Sequence, residues 1–251
     1  MKKFRTYGEF LDEALDPLKF LTQEQVKWCK KHIKGEWGVN EKGEVTVSKN
    51  LSFKDNRFDR FPVQFAPVKG FFNCSGCPNL VSLEGAPEYV EGDFFCDKCP
   101  KLTSLKGAPS RVGDSFDCRH CPNLTSLEGA PAHVGWDFSC SDCPKLTSLE
   151  GAPAHVEGDF RCSDCVGLTS LEGAPDRVGG DFSCTDCAGL TSLKGAPSHV
   201  GGNFWRSFCP KLPATFVEII DDYNQEEIDW KQAHKLIHSE TARKAHSIGL
   251  I

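Results

Sequence analysis

The sequence predicts a β-rich solenoid of short parallel strands, with little helix on its convex side and α-helical caps at both ends. Three observations carry this. First, Cys74, Cys96, Cys118, Cys140, Cys162 and Cys184 follow one another at a step of 22 residues, and Cys77, Cys99, Cys121, Cys143, Cys165, Cys187 and Cys209 keep the same step. Second, so do the leucines from Leu80 to Leu212 and the prolines from Pro87 to Pro197. A fixed period over such a length means one structural unit per repeat, each stacked on the next. Third, "DFSCS" at residues 137–141 alternates. Phe138 and Cys140 point one way and Asp137, Ser139 and Ser141 the other, the pattern of a half-buried strand.

The elements follow in chain order. Residues 1–36 read as a helical N-terminal cap. Thr6 with Glu9, and Thr22 with Gln25, are capping-box patterns, the second opening a helix from Gln23 to Lys34. Its apolar stripe is Val26, Cys29 and Ile33, and its rim is Lys27, Lys30, Lys31 and Lys34. Residues 37–71 hold lead-in strands and a degenerate first repeat, in which Phe58, Phe61 and Val68 occupy the columns of Leu80, Leu83 and Val90. Residues 72–212 are the regular solenoid. In each unit the strand is followed by two core leucines, a Gly/Pro turn and a core valine, leaving too few residues for a long helix. Stacking at ~4.8 Å per unit gives a sheet about 35 Å long. Residues 213–251 form a helical C-terminal cap. Pro213 to Tyr223 carries Phe216, Ile219, Ile220 and Tyr223 on one side, and Asn224 with Glu227 is a capping box for a helix bearing Ile228, Leu236 and Ile237.

Strand, then Cys, then "xxLTSL" resembles the leucine-rich repeat, particularly its short forms. The wording "CSxCPxLTSLEGAPxxVxGDF" is similar to leucine-rich-repeat-like proteins of bacteriophages and other large viruses. The likeness runs from Trp37 to Pro213 and includes the lead-in "WGVNEKGEVTVSKNLSF". It implies an architecture and says little about activity, because function resides in sites placed on a fold. It also implies that the second cysteine satisfies backbone groups at the bend after the strand, where the family uses Asn or Cys.

The charge of −6 and pI near 5.8 argue against a nucleic-acid partner, which calls for a basic face. The N-terminus has no apolar signal-peptide run, and no stretch reaches the roughly 18 apolar residues of a membrane span. The expectation is a cytoplasmic protein, in the host cytoplasm if viral, with its 14 cysteines reduced. Buried cysteine is a small hydrophobe, so the paired columns read as packing. The rival is metal, because CxxC is a zinc-knuckle spacing and two turns would offer four sulfurs. Disulfides or a redox role are the remaining readings. There is no P-loop, nucleophile elbow, HExxH or triad, so a non-catalytic protein without cofactor is expected.

Comparing the repeats with one another separates constant columns from free ones. The middle outward strand column reads Asn73, Phe95, Asp117, Ser139, Arg161, Ser183 and Trp205. Aromatic residues and Arg on a concave sheet suggest recognition of a protein partner, against unselected drift of a solvated face. A second column reads Asp93, Ser115, Asp137, Asp159, Asp181 and Asn203. Its carboxylates either accept hydrogen bonds from the preceding Gly-rich turn or meet a divalent cation or a basic partner. The candidate partner-binding residues are therefore Phe95, Asp117, Arg161, Trp205, Asp137, Asp159 and Asp181. A third column, Tyr89, Arg111, His133, His155, Arg177 and His199, is a solvated edge or a pH-sensitive surface. The function these features support is a protein–protein interaction scaffold, by resemblance a phage-encoded inhibitor of a host or defence protein. A metal-binding CxxC protein and a virion component are the alternatives.

Overall fold

The computed structural model describes residues 16–225 and 228–247. The Thr6–Glu9 pattern, the first fifteen residues of the N-terminal cap, Glu227 and residues 248–251 lie outside them. The repeats form a parallel β-solenoid with helices confined to its ends.

Each turn contributes two short strands rather than the single one read from its alternation. Eight strands, Leu51–Ser52, Phe72–Asn73 and their equivalents to Phe204–Trp205, form one parallel sheet in chain order. Six more, from Tyr89–Val90 to His199–Val200, form a second. Register is by equivalence: Phe138 pairs with Phe116 and Phe160, and His155 with His133 and Arg177. Identical residues stacked at strand spacing put like surface on like surface, so a slip of one residue would turn every Phe outward.

The core is two layers of apolar columns. The phenylalanines from Phe72 to Phe182 stack with ring centroids 5.2 to 5.4 Å apart and planes within 2 to 11° of parallel. That separation means offset stacking, which the ring quadrupole favours over a direct sandwich. Cys, Leu and Val columns fill the remaining interior with no exposure in nearly every turn. Between strand and leucines the chain passes through the left-handed region at Asp55, Gly76, Lys98, His120, Asp142, Asp164, Asp186 and Phe208, with φ from 56 to 67°. Gly and Asp suit that conformation; Phe208 does not, because a bulky side chain there is strained.

The caps close both ends. Helix α1, Gln23–His32, begins with the expected Thr22–Gln25 capping box and ends before Lys34, where Ile33 turns extended. Its Val26 and Cys29 are buried, and Trp28 joins Phe53, Phe58 and Phe61 in an aromatic cluster over the first turns. A hairpin of Trp37–Val39 and Val45–Val47 leads in. Strand Leu51–Ser52 then pairs with Phe72–Asn73, and Val68 bridges to Val90 as its column predicts.

At the other end α2, Ala214–Asn224, buries Phe216 and Ile220. Asn224 does not open the next helix as the capping-box reading had it. Its side-chain oxygen accepts the Phe204 N–H at 3.0 Å and its amide donates to the Phe204 carbonyl at 2.8 Å. Asn224 thus stands in for the missing next strand and blunts an edge that would otherwise template association. The following helix α3, Trp230–Ser247, is opened by Asp229 and Gln232, which bond each other's backbone. Trp230 continues the phenylalanine stack at 5.3 Å from Phe204. Ile237 is buried as expected, whereas Leu236 is 46% exposed because Trp230, Ala233 and Ile237 already form the inward stripe.

Candidate functional site

The outward face of the eight-stranded sheet is built from the two variable strand columns and the position after the first cysteine. Alternation puts Phe138 and Cys140 inside and Asp137, Ser139 and Ser141 outside, and every turn repeats this. The acidic column is a hydrogen-bonded ladder. Asp93, Asp137, Asp159 and Asp181 each accept, through Oδ1, the backbone N–H of the equivalent residue one turn later, at 2.7 to 3.0 Å. The donor is the next rung's own backbone and not the preceding Gly-rich turn. This spends one oxygen per carboxylate and leaves the other facing out.

Two of the candidate residues use those outward oxygens. Arg161 donates Nη1 to Asp137 Oδ2 at 2.7 Å and Nη2 to Asp159 Oδ2. Burial works against the Arg161 charge, and the bond to Asp137 with the charges of Asp137, Asp159 and Asp181 more than offsets it, so its pKa lies above the ordinary value. Trp205 donates its indole N–H to Asp181 Oδ2 at 2.9 Å. The structure therefore brings Asp137, Asp159, Asp181, Arg161 and Trp205 into one hydrogen-bonded strip, with one guanidinium among three carboxylates. Trp205 is 43% exposed, an aromatic held in place and presented to solvent.

Phe95 and Asp117 lie on adjacent strands and pair in register, and the Asp117 strand pairs in turn with Phe138–Ser139. Phe95 is half-buried rather than solvent-exposed, and Asp117 is buried. Three polar side chains are buried among the described residues: Ser75, Asp97 and Asp117. All three line one cleft of about 210 Å³ together with Phe95, Lys98 and Arg119. Ser75 Oγ donates to Asp97 Oδ1. Asp117 accepts the Arg119 N–H at 3.0 Å and faces Arg119 Nε at 3.0 Å. Ser75 and Asp97 were not singled out from the sequence. The signal was present, because Asp97 is the one acid in a column that otherwise reads Ser75, Arg119, Ser141, Ser163, Thr185 and Ser207.

Burial pushes the Asp117 carboxyl above the usual range, with the Arg119 N–H and guanidinium only partly restoring it. The fold therefore holds this proton more tightly than the unfolded chain does. Stability falls as pH rises from the ordinary carboxyl value through the raised one. Asp117→Asn keeps the Arg119 N–H acceptor without the charge. Urea unfolding is expected to find the variant gaining on the wild type across that window and at least equal to it at pH 7; a variant that loses ground as pH rises contradicts the assignment.

All 14 cysteines are free and buried. From Cys99 onward the second cysteine donates its thiol to the carbonyl of the first cysteine one turn earlier, Cys165 to Cys140 and Cys187 to Cys162 each at 3.2 Å, while Cys77 donates to the Phe53 carbonyl. These carbonyls sit at the bend, where the sheet ladder has ended and an orphan acceptor would be costly. Burial pushes Cys77 up to about 11, and Cys99 and Cys143 up to about 12. Among the described residues no group of three or more His, Cys, Asp or Glu is arranged to hold a metal ion. Because the thiolate is the reactive form, native protein at pH 8 is expected to resist a thiol reagent. Cys209, 8% exposed and with its pKa lowered by its bond with Cys184, reacts first. Rapid labelling of several thiols without denaturant would contradict this.

The Arg/His column lies on the second sheet, with Arg111, His155, Arg177 and His199 exposed. Among the described residues no helix is long and apolar enough to cross a membrane. Comparison of the chain with known protein families, with curated proteins and with solved structures gives no match.

Proposed function

We propose that this protein is a non-catalytic interaction scaffold that holds a protein partner on the outward face of its eight-stranded sheet. The observation that carries this reading is the contrast between columns. Phe, Cys, Leu and Val repeat in a rigid, in-register stack, while the outward column changes at every turn and ends in Trp205. Pre-organised aromatic and Arg anchors on a stiff surface are what a recognition face needs, since little entropy is lost on binding. The indole of Trp205 and the guanidinium of Arg161 are both fixed by carboxylates before any partner arrives.

The repeat wording and the thiol-to-bend bonds support a narrower form of the reading. In it the chain is a leucine-rich-repeat-like product of a virus, acting in the host cytoplasm to block a host or defence protein. The test is affinity capture from host lysate with the wild type and with Phe95→Ala/Arg161→Ala/Trp205→Ala, whose circular dichroism must match. A partner held by the wild type and lost by the variant is expected. Equal capture by both would remove this face as the site.

A further inference from the structure

We propose that Cys184 and Cys209 form a peroxide-sensitive pair, oxidised by hydroperoxides to a disulfide that joins the last two turns of the solenoid. The sequence marks the place. Arg206 follows Cys184 at the 22-residue step and fills the column that holds a cysteine in every turn from Cys74 to Cys184. The register of Phe182–Ser183 with Phe204–Trp205 sets Cys184 and Arg206 side by side on neighbouring rungs. The Arg206 side chain is 18% exposed, and its Nη2 bonds Asp221 and the Val217 carbonyl. Its Nε, by contrast, is the one buried side-chain nitrogen or oxygen without a partner among the described residues. A buried N–H left in this way is costly, and an anion beside it relieves the cost. The Arg206 charge acts on both Cys184 and Cys209, favouring the thiolate at each.

Proximity, charge and access coincide at this pair alone. The Cys209 thiol donates to the Cys184 carbonyl at 3.2 Å, and the two thiols also bond each other. The same sulfur contact recurs at Cys140 with Cys165 and at Cys162 with Cys187, so it supplies proximity and not selectivity. Arg206 supplies the charge, where every earlier turn has a cysteine. Access separates the pairs as well: Cys209 is 8% exposed, while Cys140, Cys162, Cys165 and Cys187 have no exposure. The bond from Cys184, aided by Arg206, lowers the Cys209 pKa against burial, and the thiolate is the form that attacks a peroxide. In that step a sulfur–oxygen bond forms on Cys209 and the O–O bond breaks. The leaving oxygen takes the proton that Cys209 released and departs as water or an alcohol. The Cys184 sulfur then attacks the Cys209 sulfenic acid, gives up its proton and expels water. Two thiols have lost two electrons, and one hydroperoxide has taken both. The link ties the turn carrying Trp205 to the turn before it.

The test treats the reduced full-length protein with a small molar excess of hydrogen peroxide, alkylates the remaining thiols in denaturant and maps the peptides. The expected first product is the Cys184–Cys209 link, with Cys140, Cys165, Cys162 and Cys187 still alkylated. Arg206→Gln, with matching circular dichroism, is expected to link about tenfold more slowly and to move the pH profile of the rate upward. Cys184→Ala is expected to stop at the Cys209 sulfenic acid, trapped by dimedone. Linking of the three pairs at similar rates overturns the proposal. So does wild-type Cys209 passing to the sulfinic acid without a link, or an Arg206→Gln rate and pH profile equal to those of the wild type. If neither variant folds, the wild-type map decides by itself, because the two inner pairs share the sulfur contact and lack the arginine.

Discussion

Replacing Phe138 by alanine is expected to cost about 3–5 kcal/mol of stability, the range for emptying a fully buried aromatic site. Phe138 has no exposure and stacks on Phe116 and on Phe160, at 5.3 Å each. In a solenoid each turn touches only its neighbours, so no distant element can move in to fill the gap. The loss falls on two interfaces at once, and the denaturation curve should broaden or split as the halves on either side unfold separately. The comparison is Phe208, four residues beyond the end of the same column. Its side chain is 80% exposed and its φ is 56°. Phe208→Gly removes a left-handed strain and buries nothing less, so it is expected to hold or raise stability by about 1 kcal/mol. Urea titrations followed by circular dichroism measure both. A Phe138→Ala variant within about 1 kcal/mol of the wild type would mean that the stack is not what holds the turns together.

Gly151→Ala is the second large effect, expected to cost at least about 2 kcal/mol. Two penalties coincide there. The φ of Gly151 is +91°, and a Cβ would lie 2.7 Å from the backbone nitrogen of Glu128 and from the Leu127 carbonyl carbon. Those atoms belong to the backbone of the preceding turn, which cannot rotate away as a side chain could. Gly35 isolates the first penalty, because its φ is +108° and nothing lies within 4 Å of its Cβ position. The Gly35→Ala cost is the conformational part alone, and the excess at Gly151 measures how tightly successive turns are pressed together. Equal costs at the two positions would show that the turns are looser than the geometry states.

The outward partnerships show where sequence reading reached its limit. The acidic ladder was visible as a column, but its donors were not. A side chain that accepts from the equivalent N–H one turn later looks, in sequence, like any exposed aspartate. Asn224 satisfied a capping-box pattern and went instead to the Phe204 backbone, because an unpaired sheet edge outcompetes a helix start that Asp229 and Gln232 provide equally well. Asp97 was passed over because its neighbours in sequence, Cys96 and Lys98, carry no sign of the cleft that Ser75 and Asp117 complete from adjoining turns.

By itself the sequence determined the period, the parallel stacking and the inward columns. Physically, identical rungs place each column in one repeated environment, so a residue type that recurs without exception must be what that environment demands. The tertiary structure alone decided the second sheet, because Val156 of His155–Val156 is followed by Glu157 and Gly158 and no second inward residue shows an alternation. It also decided which carboxylates are hydrogen-bonded, which are buried, and how the ends are sealed. Those outcomes depend on distances between residues some two dozen positions apart, such as Trp205 and Asp181 at 2.9 Å. Such distances exist only once the turns have stacked.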